Sequence, residues 1–308
     1  MHTSLDVILG LGSNVGSREA LLRAAIDLMA ATPGVEVRAR SPLYESAPVG
    51  PPQPRYLNAA VRLCAGLAPG DLLSAMHDAE RALGRARRER WGPRTLDLDC
   101  LWIRDLALTE PSLIVPHPEL LAREFALRPL LSVCDDAVDP RDGAPLARAL
   151  DALTRDPSMT ERPFADSFER RELMHTADEG FVTHALDRAD LLAAAAEVMG
   201  ALIVDPATVA PARAVPISIG IDAEAGDDER MFLWLSEALY HLDAGRLALR
   251  RAVVFEDGPT TVRGALFGET LDESRHGVRS ALKAVTWHAL EVGVAPDGRW
   301  RAQVVIDV

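Results

Sequence analysis

The chain has 308 residues, of which 48% are hydrophobic, so it is long enough for one or two buried cores and its length favours two domains. It contains no apolar run of about 18 residues and no N-terminal signal pattern, so we expect a cytoplasmic protein with no membrane partner. The net charge is −13, and residues 156–308 contribute most of it, with 15 basic against 26 acidic residues. A half with this charge is unsuited to direct binding of nucleic-acid phosphates.

The first half alternates between strand-like and helix-like patterns. The predicted elements are a strand at 7–11, a helix at 17–30, strands near 35–46 and 57–65, a helix at 69–83 and a strand at 96–103. This β-α-β-β-α-β order predicts a ferredoxin-like α+β fold. Residues 47–55 contain four prolines and predict a stiff wall without regular structure. A helix at 118–132 and a short tail would complete the domain.

Residues 153–168 lack sustained periodicity and contain two prolines. We therefore predict a first domain at 1–155, a linker at 156–168 and a second domain at 169–308. In the second domain we expect helices at 188–203 and 227–243, and strands near 213–222, 247–256, 260–268, 281–293 and 299–306. This pattern predicts a separate antiparallel α+β domain.

Two acids, Asp97 and Asp99, lie two residues apart in the predicted strand at 96–103. On a strand this spacing points both carboxylates from one face, about 7 Å apart. Paired carboxylates suit hard cations such as Mg²⁺. The alternative is a solvated edge strand, but the surrounding run is apolar, where unpaired charges would be costly. We therefore favour a metal site.

Arginines precede this acid pair in the sequence. They are Arg85, Arg87, Arg88, Arg90 and Arg94. Guanidinium groups beside a Mg²⁺ site indicate polyphosphate chemistry, because a guanidinium presents two parallel donors to phosphate oxygens. For Arg88 and Arg90 we prefer the alternative interpretation of solvated surface arginines.

The segment Arg-Trp-Gly-Pro-Arg-Thr-Leu-Asp-Leu-Asp at 90–99 resembles the signature of the 6-hydroxymethyl-7,8-dihydropterin pyrophosphokinases of folate biosynthesis. The resemblance covers roughly residues 4–150. Three more motifs support it: Leu-Gly-Ser-Asn at 11–14, Tyr-Leu-Asn-Ala-Ala at 56–60 and Val-Pro-His-Pro at 115–118. We interpret the first of these as a tight strand-to-helix turn, because it lacks the lysine and glycine spacing of a phosphate loop.

This resemblance implies an enzyme that transfers pyrophosphate from ATP to the hydroxymethyl oxygen of the pterin and releases AMP. Two Mg²⁺ ions would bind Asp97 and Asp99. The implied catalytic residues are Arg85, Arg94, Asp97 and Asp99, the implied ATP contacts are Arg85, Arg87, Arg94, His117 and Arg123, and the implied pterin contacts are Tyr56, Asn58, Trp91 and Phe125. A rival hypothesis for this half is a nucleotide-binding module without turnover.

The second half has two anchors of its own, His-Thr-Ala-Asp at 175–178 and Val-Val-Ile-Asp-Val at 304–308. Asp307 is one residue from the α-carboxylate of Val308, so oxygen ligands for a cation are concentrated there, and Asp178 would complete the site if its segment pairs nearby. The alternative is a frayed acidic terminus, against which the apolar run 304–306 argues.

These anchors, together with 268–276 and 282–292, resemble archease over residues 170–308. The resemblance implies a non-catalytic accessory domain whose partner is the GTP-dependent RNA-splicing (tRNA) ligase. It also implies that Ca²⁺ or another divalent cation binds Asp178, Asp307 and Val308.

Three alternatives remain for the second half: a second folate-pathway enzyme, a purely structural domain, and a catalytic or zinc cluster built on His175, Asp178 and His288. An aldolase acting on dihydroneopterin would need an acid-base lysine, and the only lysine, Lys283, lies in a predicted strand. No His-x-x-x-His or cysteine pattern supports a zinc site.

Overall fold

The computed structural model describes residues 4–48, 50–85, 92–164, 173–174 and 178–308; of 173, 174 and 178 it describes the backbone only. Contacts between residues divide the chain into two units. One consists of Met1–Val15 and Ala25–Phe164, and the other of Gly16–Ala24 and Ala165–Val308.

The helices and strands up to residue 164 follow one another closely. They are β1 (Leu5–Ser13), α1 (Arg18–Ala31), β2 (Val35–Arg40), β3 (Leu43–Ser46), β4 (Tyr56–Ala65), α2 (Pro69–Ala82), β5 (Asp97–Ile103), β6 (Leu108–Thr109), β7 (Ile114–Val115), α3 (Glu124–Val133), α4 (Leu146–Ala152) and β8 (Thr160–Arg162).

The main sheet of the first unit is antiparallel, with strand order β5-β1-β4-β3-β8 and with β2 also paired to β4. The central place of β1 and β4, with β5 at one edge, is the strand order of a ferredoxin-like fold. The predicted fold class is confirmed for this unit. Strands β6 and β7 form a separate two-stranded sheet.

One face of this sheet packs against α3 and α4. Ile8 and Trp102, which are opposite each other on β1 and β5, are fully buried in a cluster with Leu127 and Leu130 of α3. The Trp102 indole also donates a 2.7 Å hydrogen bond to the Val138 carbonyl, which satisfies its polar atom inside the core. The apolar residues of α3 therefore cover this face of the sheet at Ile8 and Trp102.

Four details of the first unit differ from the sequence predictions. The strand expected over 35–46 divides at Ser41–Pro42, since proline has no N–H for the ladder. The helix expected at 118–132 begins only at Glu124, because Arg123 is extended (φ −122°, ψ 104°). The region expected to be a short tail contains α4. In addition, β8 lies inside the predicted linker and pairs with β3, a contact that no local pattern reveals.

The second unit contains the remaining elements. They are β9 (Leu173–Met174), β10 (Asp178–Ala185), α5 (Arg188–Ile203), β11 (Arg213–Gly220), α6 (Asp227–Asp243), β12 (Leu247–Asp257), β13 (Thr261–Thr270), α7 (Glu273–His276), β14 (Ala284–Val285), β15 (Glu291–Val294) and β16 (Trp300–Asp307). Within the described residues, no helix is both long and apolar enough to cross a membrane.

These strands form two antiparallel sheets, one ordered β14-β16-β10-β9 with β15 also on β16, the other ordered β11-β13-β12. The antiparallel α+β prediction is confirmed. The single strand predicted at 281–293 is wrong: β14 and β15 are separated by a turn that contains Ala289 at φ 51°. Leu282, Val285 and Leu290 are buried on either side of that turn.

Candidate active site

The acid pair faces two glycines across the sheet. In the antiparallel β1–β5 pair, Asp97 lies opposite Gly12 and Asp99 lies opposite Gly10. Directly paired residues project from the same face, so the missing side chain of Gly12 leaves room beside Asp97, whereas the Leu101 side chain lies 2.9 Å from the place of a Cβ on Gly10. A Cβ added to Gly12 would lie 3.6 Å from Asn58 Oδ1 and 4.0 Å from Asp97 Cβ. These glycines form the floor of the site.

Asp97 accepts from two guanidinium groups. Arg85 lies 2.7 Å from one carboxylate oxygen and Arg94 lies 2.7 Å from the other. Arg85 also pairs with the buried carboxylate of Glu80, which accepts a 2.8 Å hydrogen bond from the Leu98 backbone N–H. Glu80 of α2 thus links Arg85 to the strand that carries the acids.

Burial shifts the pKa of two groups here. Removal of the Asp99 carboxyl from water, together with the neighbouring charge of Asp97, raises the pKa of Asp99 to about 6. Burial also lowers the pKa of His117, which favours the neutral ring. His117 Nδ1 accepts a 3.2 Å hydrogen bond from the Glu119 N–H, so Nε2 carries the ring proton. His117 therefore presents an N–H donor.

Two cavities meet at these residues. The first, of about 370 Å³, is lined by three of the four predicted pterin residues, and the second, of about 300 Å³, is lined by residues of α2 and of the segment 111–118. Both cavities are lined by Arg85, Asp97, Asp99 and His117. The acid pair is therefore shared between two ligand-sized spaces.

The predicted pterin residues Tyr56, Asn58 and Phe125 line the first cavity. Asn58 donates from Nδ2 to the Tyr44 carbonyl at 3.2 Å and to Ser46 Oγ at 2.9 Å, so its Oδ1 is the atom turned toward Gly12. Arg123, expected to contact ATP, also lines the first cavity, with its guanidinium 5.6 Å from the centre of the Phe125 ring. Arg87 and Trp91 lie outside the described residues.

Asn14 has a role that the sequence analysis missed. Its Oδ1 accepts from the Arg94 N–H at 2.8 Å, and its own N–H donates to the Arg94 carbonyl at 3.1 Å. Its Nδ2 donates to Gln53 Oε1 at 3.0 Å and to the Pro54 carbonyl at 3.2 Å. The Asn14 side chain therefore connects the backbone of Arg94, a predicted phosphate contact, to the proline-rich wall. Its place in the Leu-Gly-Ser-Asn motif, otherwise interpreted as a turn, was the available signal.

In the second unit, the backbone register pairs residue 178 directly with Asp307 across β10 and β16. Lys283 donates its backbone N–H to the Asp307 carbonyl at 2.8 Å and its ammonium to the Val308 backbone oxygen at 2.6 Å. Asp307 and Val308 are both exposed. The Asp178 side chain and His175 lie outside the described residues, and His288 is exposed in the turn before β15.

Family models match both parts of the chain. Residues 8–135 match the 7,8-dihydro-6-hydroxymethylpterin-pyrophosphokinase (HPPK) model, and residues 171–308 match that of the Archease protein family. These ranges agree with the two resemblances in the sequence.

Individual relatives match one half each. A 2-amino-4-hydroxy-6-hydroxymethyldihydropteridine pyrophosphokinase of Synechocystis is 41% identical over 47% of this chain and 75% of its own length. An enzyme of the same name from Methylorubrum extorquens is 42% identical over 50% of this chain and 96% of its own. The solution structure of protein 1598 of Methanobacterium thermoautotrophicum is 25% identical over 45% of this chain and 98% of that one, with a TM-score of 0.38.

Identity of 42% over 96% of the length of the Methylorubrum enzyme, together with an acid pair and Arg85 at the meeting point of two cavities, leads to one assignment. The chain belongs to the HPPK family through its N-terminal domain and carries an archease domain at its C-terminal end.

Proposed function

We propose that the N-terminal domain transfers pyrophosphate from ATP to 6-hydroxymethyl-7,8-dihydropterin and releases AMP, with the pterin in the first cavity and the nucleotide in the second. One observation carries this proposal: Asp97 and Asp99 lie where the two cavities meet. Group transfer requires the attacking oxygen and the phosphorus atom to be held together, and a shared boundary lined by Asp97, Asp99 and Arg85 meets that requirement.

The acid pair fits Mg²⁺ ions that arrive with ATP. Within the described residues, no group of three or more His, Cys, Asp or Glu side chains is arranged to hold a metal, so Asp97 and Asp99 act as a pair. Mg²⁺ is usually bound by one or two carboxylates plus phosphate oxygens and water, which is the set available here. Two such ions would neutralise charge on the transferred pyrophosphate.

The charged side chains then act on the phosphates. Arg85 lines both cavities and Arg94 lines the first; both contact Asp97 and would bind the transferred pyrophosphate. His117 would donate a hydrogen bond from its Nε2–H group to a phosphate oxygen. Burial favours the neutral ring, so the histidine acts as a donor and not as a charged group. We extend the ATP contacts to Arg87 and Arg123 from the family resemblance.

The pterin would be held by the first cavity. Asn58, oriented by Tyr44 and Ser46, offers its Oδ1 to the N–H groups of the heterocycle edge. Tyr56 and Phe125 would contact the ring, and Trp91 joins them on the basis of the resemblance alone. Phe125 is itself held by Arg123.

The test is AMP formation by the full chain from ATP, Mg²⁺ and the hydroxymethyl-dihydropterin. Asp97→Ala and Asp99→Ala should each lower the rate at least about 100-fold, since each removes a metal ligand at the reacting phosphates. Asp151→Ala, an exposed carboxylate on α4, is the matched control and should leave the rate unchanged. Unchanged AMP formation in both acid variants, or ATP binding without any AMP from the wild type, would refute the proposal; the latter result favours a binding module.

We also propose that the archease domain assists a GTP-dependent RNA-splicing ligase and binds Ca²⁺ or another divalent cation through Asp178, Asp307 and Val308. The pairing of residue 178 with Asp307 in the β10–β16 ladder supports this ligand set, as does the family match. Carboxylate and carbonyl oxygens are suitable Ca²⁺ ligands.

The second proposal is tested by adding the full chain to the ligase and measuring multiple-turnover RNA joining with and without Ca²⁺. Asp307→Asn should remove the stimulation, whereas Asp297→Asn, an exposed acid in the turn between β15 and β16, should retain it. Equal stimulation by both variants would exclude this cation site. No stimulation by the wild-type chain would exclude the accessory role.

A further inference from the structure

Residues 156–162, which we name the brace segment, follow α4 and lie beside the pterin cavity rather than in it. The segment ends in β8, which pairs with β3. It begins at Asp156, which lines a third cavity of about 430 Å³ together with Ala47, Pro48 and Phe125. Ala47 and Phe125 also line the pterin cavity, so the brace segment lies behind two of its walls.

Arg55 connects the brace segment to the proline-rich wall, of which residues 47, 48 and 50–55 are described. Its guanidinium donates to the Ser158 carbonyl at 2.6 Å and to the Glu45 carbonyl at 3.3 Å. It also approaches Ser158 Oγ at 3.4 Å. Arg55 immediately precedes Tyr56, so this clamp holds the wall at the point where it enters β4.

Glu124 connects the other side of the cavity to the same segment. Its buried carboxylate accepts from the Asp156 N–H at 2.6 Å through one oxygen and pairs with Arg128 at 2.7 Å through the other. Glu124 is the residue before Phe125 on α3, so the hydrogen bond with Asp156 limits the movement of the first turn of that helix.

The third link runs through the sheet. Glu161 of β8 is directly opposite Tyr44 of β3, and the Tyr44 carbonyl accepts from Asn58 Nδ2. A strand that pairs with β3 therefore supports the residue that orients Asn58. Three separate contacts of one short segment thus end next to Tyr56, Phe125 and Asn58.

We propose that the brace segment, anchored by Arg55 and Glu124, positions the pterin by fixing the spacing between the wall and α3. The inference rests on the proposed assignment of the first cavity to the pterin. Arg55 and Glu124 are positioning residues here, since neither needs to touch the ligand. Loss of either anchor would enlarge the range of cavity shapes and weaken pterin binding, while leaving the second cavity unchanged.

The experiment measures equilibrium binding of 6-hydroxymethylpterin to the full chain in the presence of Mg²⁺ and a non-hydrolysable ATP analogue, and separately the binding of that analogue alone. Arg55→Ala should weaken pterin binding about fivefold to tenfold, because it removes charge-assisted hydrogen bonds at a partly exposed site. Arg55→Lys should recover part of the loss. Analogue binding should stay at the wild-type value. Arg38→Ala, an ion-paired arginine on β2 away from the cavities, is the matched control.

A double-mutant cycle tests whether both anchors act through one segment. Glu124→Gln leaves either Asp156 or Arg128 without a full acceptor and should weaken pterin binding by itself. If both residues hold the brace segment, the double variant should bind more tightly than the product of the two single losses predicts.

Strictly multiplicative losses, equal losses for pterin and analogue, or unchanged pterin binding in Arg55→Ala would each overturn the inference. A wild-type chain that binds the ATP analogue but not the pterin would instead refute the proposed function, so the two failures remain distinguishable.

Discussion

Asp99 should make the ligand-free protein less stable at neutral pH, and Asp99→Asn should reverse this effect. Burial and the charge of Asp97 raise the Asp99 pKa from 3.8 to about 6. A carboxyl whose pKa is higher in the folded chain destabilises the fold once it ionises. The penalty is absent well below pH 3.8, grows between pH 3.8 and about 6, and is constant above that range.

The size of this effect follows from the shift. At about 1.4 kcal/mol per pH unit, ionised Asp99 costs at most about 3 kcal/mol at pH 7.5. Asparagine has nearly the same shape and no charge, so Asp99→Asn should be more stable than the wild type by up to this amount at pH 7.5. At pH 4 the two proteins should differ by less than about 1 kcal/mol, since most of the carboxyl is then protonated.

The assay is urea unfolding without Mg²⁺ at pH 4 and pH 7.5. Unfolding is monitored by hydrogen exchange in peptides from β1 and β5. These peptides report on the sheet that contains the acid pair. Adding Mg²⁺ and ATP should stabilise the wild type more than the variant, because a bound cation removes the penalty on the carboxylate. Asp151→Asn provides the control for loss of an exposed charge.

Two outcomes would contradict the reasoning. One is a variant that is no more stable than the wild type at pH 7.5. The other is a stability difference of the same size at pH 4, which would mean that the gain does not come from ionisation.

Three substitutions elsewhere in the chain give further tests. Asn14→Asp keeps the acceptor for the Arg94 N–H but loses both donor bonds to the wall, so the initial rate of AMP formation at low pterin should fall about tenfold; an unchanged rate would exclude a link between wall and catalysis. Asp6→Asn breaks a carboxylate that accepts from two arginines and should cost about 2 kcal/mol in urea unfolding at pH 7. Hydrogen bonds from those arginines lower the Asp6 pKa, so its stabilisation is present above pH 3.8 and the cost should vanish as pH falls through the lowered pKa. Gly268→Ala would place a Cβ 1.8 Å from the Ala248 carbonyl oxygen, so it should destabilise the second unit by more than about 2 kcal/mol. Gly293→Ala is the control, because no atom lies within 4 Å of the added Cβ, and it should have little effect. Thermal unfolding measures both.

Local patterns determined most helices and several of the site residues. The helices at 188–203 and 227–243 have the predicted bounds. An alanine-rich run indicated the first and an apolar stripe indicated the second, and both signals lie in neighbouring residues. The spacing of Asp97 and Asp99 on a strand likewise determined that both project from one face. Chemistry that depends on a short run of sequence was therefore accessible without the fold.

Contacts between distant segments were decided only by the tertiary structure. Gly12 and Asn14 belong to the segment 11–14 that the sequence predicted to be a turn. In the structure Gly12 lies in β1 opposite Asp97, and Asn14 contacts Arg94 and Pro54 from other parts of the chain. Strand β8 was assigned to a linker because three residues carry no periodicity, and only an available edge on β3 makes them a strand. Hydrogen-bond partners that are remote in sequence leave no local signature. The sequence therefore predicted which residues form the site, and only the packing of the sheet determined which contacts position them.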